Sequence, residues 1–161
     1  MKNKGELIMS YEKAYAHLSK YGLENRVIVF DILTDTVKAA AEALHSTEGE
    51  IAKSLAFIVN ENPILVIAAG DKKIDNAKFK QEFGVKAKMI AYEIVEEVIG
   101  HYAGGVCPFG INDNVKVYLD ESLKIYNYVY PACGDHNSAV KLTIEEIEQA
   151  SCYIKWVNVC K

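Results

Sequence analysis

Two apolar runs, "EIAKSLAFIV" at 50–59 and "PILVIAA" at 63–69, constrain this chain more than any other feature. Both are too long and too rich in Ile, Leu, Val and Phe to lie on a surface. Between them sit Asn60, Glu61, Asn62 and Pro63, residues that punctuate a hairpin. The pattern predicts two adjacent buried strands.

The segments around this pair fill in a mixed fold. "SYEKAYAHLSKYG" spaces Tyr11, Ala14, Tyr15, Leu18 and Tyr21 as an amphipathic helix would, and Gly22 is a ready left-handed cap. "RVIVFDI" reads as a strand, and "DTVKAAAEAL" as an alanine-rich helix opened by Thr34 or Asp35. Helices ending at Gly84 and Gly100 are expected over "DNAKFKQEFG" and "AYEIVEEVIG". Then come three strand-like runs, "VKVYLD", "YNYVYPA" and "SAVKLT". Thr143 and Glu146 have the spacing of a capping box for a last helix, and "YIKWVNVC" closes the chain as a strand. Strands come in adjacent runs and do not alternate strictly with helices. The expected class is therefore α+β, a single domain over 1–161 with a mixed, mostly antiparallel, barrel-like sheet and surrounding helices.

Composition excludes several classes. At 161 residues, half of them hydrophobic, the chain can bury a real core. Its longest apolar run falls well short of the roughly 20 residues a spanning helix needs. The opening "MKNKGELIMSYEK" has no signal-peptide pattern, so a cytoplasmic protein with no membrane partner is expected. Cys107, Cys133, Cys152 and Cys160 form no close pair of the kind zinc or redox motifs use, and no metal or other cofactor is implied. No Gly-rich nucleotide fingerprint follows any strand. The net charge of −4 argues against a general nucleic-acid binder, yet Asp71–Lys88 holds six lysines against three acids. That local basic face permits a polyanion partner.

Three places invite chemistry. In "IAKSLAFIV" taken as a strand, Lys53 shares a face with Ile51, Leu55, Phe57 and Val59. A lysine in such a row snorkels out, pairs with a carboxylate, or awaits an anionic or carbonyl ligand. The loop "GGVCPFG" (104–110) reads as an ordinary turn, as a cysteine site with Cys107 served by His101 or His136, or as a backbone cradle. In a cradle, absent side chains let amides approach a carbonyl oxygen. "PACGDHNSA" gathers Gly134, Asp135, His136 and Asn137, good turn formers that include one group titrating near neutrality.

The order "DTVKAAAEAL", "EIAKSL", "GGVCPFG", "PACGDHNSAVKLT" resembles the YbaK/prolyl-tRNA synthetase editing-domain superfamily of trans-acting aminoacyl-tRNA deacylases. The likeness runs from about Val27 to Ala150. Its most specific parts are the lysine followed by a small hydroxyl residue and leucine, and the Gly-x-x-x-Pro loop from Gly104 to Pro108. The resemblance implies hydrolysis of the ester joining a small non-cognate amino acid to a prolyl-type tRNA. It gives Lys53 the terminal adenosine or its phosphate, and gives the Gly104–Pro108 loop the aminoacyl carbonyl. Gly105, Val106, Cys107, Phe109, Gly134, Asp135, His136 and Asn137 would surround the substrate, with Cys107 shaping the side-chain pocket. Lys72, Lys73, Lys78 and Lys80 are candidate tRNA contacts, an aminoacyl-tRNA synthetase is a further candidate partner, and either a monomer or a homodimer is compatible. Two rival readings stay open: a non-catalytic aminoacyl-tRNA or synthetase-binding module, and a Cys107-dependent small-molecule hydrolase.

Overall fold

The structure is a computed structural model that describes residues 4–161, with side-chain surroundings from Ser10 onward. Its centre is the hairpin of strands β2 (Ala52–Val59) and β3 (Asn62–Ala69), paired antiparallel from Ala52↔Ala69 to Val59↔Asn62. The turn is shorter than the sequence suggests. Asn60 and Glu61 alone make it, both at positive φ (49° and 69°), the backbone of the primed turns whose twist matches the strands. Asn62 and Pro63 already belong to β3.

β3 is buried from Pro63 onward because both of its faces are covered. On one face Ile64, Val66 and Ala68 join Phe57 and the α3 (Asn76–Phe83) residue Phe79, whose ring centroid lies 4.8 Å from that of Phe57. On the other, Leu65, Ile67 and Ala69 join Ala14 and Leu18 of α1 (Lys4–Ser19), Ile147 and Ala150 of α5 (Ile144–Ala150), and Cys107 and Phe109. Strand β4 (Lys116–Asp120) adds to β3 in parallel, and β8 (Trp156–Val157) adds to β4, also in parallel. The remaining ladders are short and antiparallel: β1 (Val27–Val29) with β6 (Ser138–Val140), and β5 (Tyr128–Val129) with β7 (Leu142–Thr143). The fold class is thus the α+β mixed sheet expected, with antiparallel pairing predominating although the central sheet continues in parallel on one side.

Local differences from the sequence reading have local causes. "RVIVFDI" is a strand only over Val27–Val29, because the chain then turns to bond the 136–137 backbone through Phe30 and Thr34. Helix α2 (Val37–Leu44) is capped by Thr36, whose hydroxyl accepts from the Ala39 N–H at 3.1 Å, and not by Thr34 or Asp35. The expected helix before Gly100 is a 3₁₀ turn (Tyr92–Ile94) followed by the short α4 (Val95–Ile99). "SAVKLT" breaks at Lys141 into β6 and β7, which pair with different strands. The stop at Gly84 and the Thr143/Glu146 box form as expected, and Asp75 caps the start of α3.

Candidate active site

A cavity of about 140 Å³ opens where β2 leaves its second neighbour. The outer edge of β2 is bridged at Ile51 to Tyr130 and again at Phe57 to Met89. Ala52 N–H donates outward to Tyr130 O at 3.1 Å, Ala56 O accepts from Ile90 N–H, and Ile58 N–H donates to Lys88 O. By the two-residue period of a strand, the Ser54 N–H and C=O point to the same edge. They have no backbone partner among the described residues, and Ser54 lies on the cavity wall.

Four segments far apart in sequence build the walls. Ile51 to Ser54 form one side, and Thr34 to Val37 with Ala40 form a second, brought in by α2 packing on Ile51. Ala103, Gly104 and Val106 supply the third. Ala132, Ser138 and Ala139, with Tyr130, close the fourth.

Lys53 borders this cavity on the face the strand pattern assigns to it, between Ile51 under α2 and Leu55 and Phe57 in the smaller core. Its ammonium donates to the carbonyl oxygens of Gly70, at 3.3 Å, and Lys72. Burial lowers its pKa, while the nearby Cys160 and Asp71 oppose that shift. Two carbonyls of the turn after β3, from residues that do not line the cavity, therefore hold the ammonium without neutralising it.

The glycine loop divides into residues that face the cavity and residues that fix the loop. Gly104 and Val106 line the cavity. Gly105 is buried where a Cβ would lie 2.5 Å from the backbone of Gly134 and Asp135, and its N–H donates to Tyr102 O at 3.0 Å. Pro108 and Phe109 are buried beneath the loop, Phe109 completely, and neither lines the cavity. Cys107 is likewise fully buried, with burial pushing its thiol up to about 12. Its neighbour His101 lies 3.5 Å away and is held down to about 4 by the same desolvation; its Nε2 bonds Phe109 O at 2.5 Å. A protonated thiol beside an imidazole already bonded to a carbonyl, both out of the cavity, is not an activated cysteine pair.

The second cluster is mainly a brace. Asp135 Oδ1 accepts from Asn137 N–H at 3.2 Å and from the Ser138 hydroxyl at 2.5 Å, and Asn137 Nδ2 donates to Phe30 O at 3.0 Å. Gly134 has φ of +81° and abuts α1. The His136 ring meets the Tyr102 ring edge-on at 6.0 Å, and burial raises the Tyr102 pKa. Of the tRNA-contact candidates, Lys72 and Lys73 lie in the turn after β3, next to the Lys53 ammonium, and Lys78 and Lys80 are on α3. Lys78 Nζ is partly engaged, donating to Cys160 O at 2.9 Å.

Residue-type reasoning does not single out Thr34 or Ser54 as site residues. Both line the cavity, and both present buried hydroxyl oxygens with no hydrogen-bond partner among the described residues. The signal for Ser54 is its place beside Lys53. Thr34 reads in sequence as a cap for α2, a task Thr36 performs. Among the described residues no group of three His, Cys, Asp or Glu side chains is placed to hold a metal ion, and no helix is long and apolar enough to cross a membrane.

The sequence model of the aminoacyl-tRNA editing domain matches residues 33–150, a span that contains all four cavity walls. The chain belongs to the aminoacyl-tRNA editing-domain family. It is 45% identical over 154 residues to "Uncharacterized protein YwhH" of Bacillus subtilis, covering 95% of this chain and 98% of that one. It is 25% identical to the "Putative Cys-tRNA(Pro)/Cys-tRNA(Cys) deacylase EbsC" of Enterococcus faecalis, covering 70% of each. A solved structure of "a putative trans-editing enzyme for prolyl tRNA synthetase" superposes with a TM-score of 0.85 at 27% identity, covering 94% of this chain and 97% of that one.

Proposed function

We propose that this protein is a trans-acting aminoacyl-tRNA deacylase, a single editing domain over 1–161 that hydrolyses the ester of a mischarged, prolyl-type tRNA in the cytoplasm. The observation that carries the reading is that Lys53 and Gly104 border one small cavity within the span matched by the editing-domain family.

The chemistry asks little of the protein. An aminoacyl ester is already activated relative to an amide, and the neighbouring ribose 2'-hydroxyl can orient a water at the carbonyl. Water adds to the carbonyl carbon, the tetrahedral oxyanion collapses, and the C–O bond to the 3'-oxygen breaks. The attacking water's protons are shared between the leaving 3'-oxygen and solvent, giving the free amino acid and the tRNA 3'-hydroxyl. The Gly104 and Val106 backbone, the part of the loop at the cavity wall, faces the oxyanion. Lys53, fixed by two carbonyls, presents a positive charge to the terminal nucleotide, and Lys72, Lys73, Lys78 and Lys80 extend that charge toward the acceptor stem. The cavity of about 140 Å³ has room for a small side chain.

The test is deacylation of a panel of prolyl- and alanyl-type tRNAs charged with alanine, serine, threonine, cysteine or proline, comparing wild type with Lys53→Ala. Hydrolysis of one or two mischarged esters that drops at least a hundredfold in a folded Lys53→Ala supports the assignment. Equal rates in the two proteins would remove Lys53 from the site, and no hydrolysis at all would favour a binding module.

A further inference from the structure

Thr34 is nine-tenths buried, Thr34 and Ser54 line one cavity, and the hydroxyl oxygens of both are buried without a partner among the described residues. Buried hydroxyls without partners are costly, so such groups point to a ligand or ordered water that completes them. Neither hydroxyl is needed by the fold: Thr36 caps α2, and Ser54 sits on a strand edge whose ladder with β3 uses its neighbours.

The same edge offers the Ser54 N–H and C=O. One donor and one acceptor at this spacing match the parts every aminoacyl ester shares, its carbonyl oxygen and its α-amino group, as an added strand residue would. With the main-chain-like part of the substrate read by backbone, the two hydroxyls are left for whatever distinguishes one amino acid from another. Val37, Ala40 and Val106 add apolar surface to that space, beside the polar Asp35, Thr36 and Ser138.

Resting on the deacylase reading above, we propose that Thr34 and Ser54 bind a hydroxyl on the substrate's side chain. The preferred ester is then that of a small hydroxylated amino acid, serine fitting best, over alanine. A substrate hydroxyl can accept from one of the pair and donate to the other. An alanyl group leaves both unpaired, and sites built to hydrogen-bond a substrate group discriminate strongly against the analogue that lacks it.

The experiment compares one prolyl-type tRNA charged with serine or with alanine, using wild type, Thr34→Val and Ser54→Ala. Alongside it, binding is measured for two non-hydrolysable probes, 3'-deoxy-3'-(L-serylamino)adenosine and its alanyl counterpart. The expected result is a seryl-to-alanyl ratio of kcat/KM of about tenfold or more in wild type that falls toward unity in each variant. An unchanged ratio in both variants, or a wild-type preference for alanine, overturns the proposal. If wild type cleaves neither ester, the probes decide. Tighter serylamino binding that Thr34→Val abolishes keeps this inference while the deacylase reading falls, and equal binding of the two probes overturns it.

Discussion

Gly134 sits so close to α1 that a Cβ on it would lie 2.3 Å from the Ser10 carbonyl oxygen. Gly110 does the same one helical turn on, with 2.5 Å to Lys13 O, and both glycines have positive φ. The two loops that flank the cavity thus rest on one helix. Gly22 and Gly84 also have positive φ but nothing within 4 Å. Gly134→Ala and Gly110→Ala should each cost about 2–3 kcal/mol, conformational strain plus displacement of backbone, against about 1 kcal/mol for Gly22→Ala or Gly84→Ala. Thermal unfolding of the four variants measures the difference, and equal losses would show that packing against α1 contributes nothing.

His101 should make stability depend on pH. Its folded pKa is about 4 against 6.5 for the free side chain, because burial penalises the imidazolium. Below pH 6.5 the unfolded chain takes up a proton the native state refuses, so stability falls as pH drops from 6.5 to 4 and this contribution levels off below that. The shift corresponds to about 3 kcal/mol. His101→Gln can still donate to Phe109 O, and denaturant titrations across this window should show a flatter profile for it. A wild-type profile as flat as the variant's would contradict the assignment.

A thiol held near 12 is protonated at neutral pH. Cys107→Ala should therefore keep deacylation within about threefold of wild type while losing about 1 kcal/mol of packing. Iodoacetamide should modify the exposed Cys152 first and leave activity intact. Loss of nearly all turnover in Cys107→Ala would revive the thiol mechanism.

Charge reversal at Lys73 or Lys80, both exposed, should weaken tRNA binding and reduce the dependence of log K on log salt by about one unit for each phosphate no longer neutralised. Filter binding from low to moderate salt reads both quantities. Binding and salt slopes unchanged in both variants would place the tRNA elsewhere.

Much of the molecule is legible in its residues. The hairpin, the helix caps at Asp75, Gly84 and Thr143, and the face occupied by Lys53 all follow from local chemistry and the period of a strand. Cys107 and Phe109 are not separable from Gly104 and Val106 by spacing, because which side of an irregular loop faces a cavity depends on what packs beneath it. The strands β1, β5 and β7 are shorter than their sequences suggest for a related reason. Runs such as "RVIVFDI" have strand composition throughout, but a strand lasts only as long as a neighbour is there to pair, and β1 finds its neighbour in β6, far along the chain. Thr34 carries no signature as a single residue, and Ser54 has only its place after Lys53.

That separation sets an order of events as the chain folds. The β2–β3 hairpin closes across two residues and can form as soon as it is made, whereas Val27 must find Val140 before the wall carrying Thr34 meets the wall carrying Ser138. A partly synthesised chain can therefore hold most of its central sheet and still lack the cavity. During refolding, strand signals should return before the cavity does, so this protein can become compact well before it becomes competent.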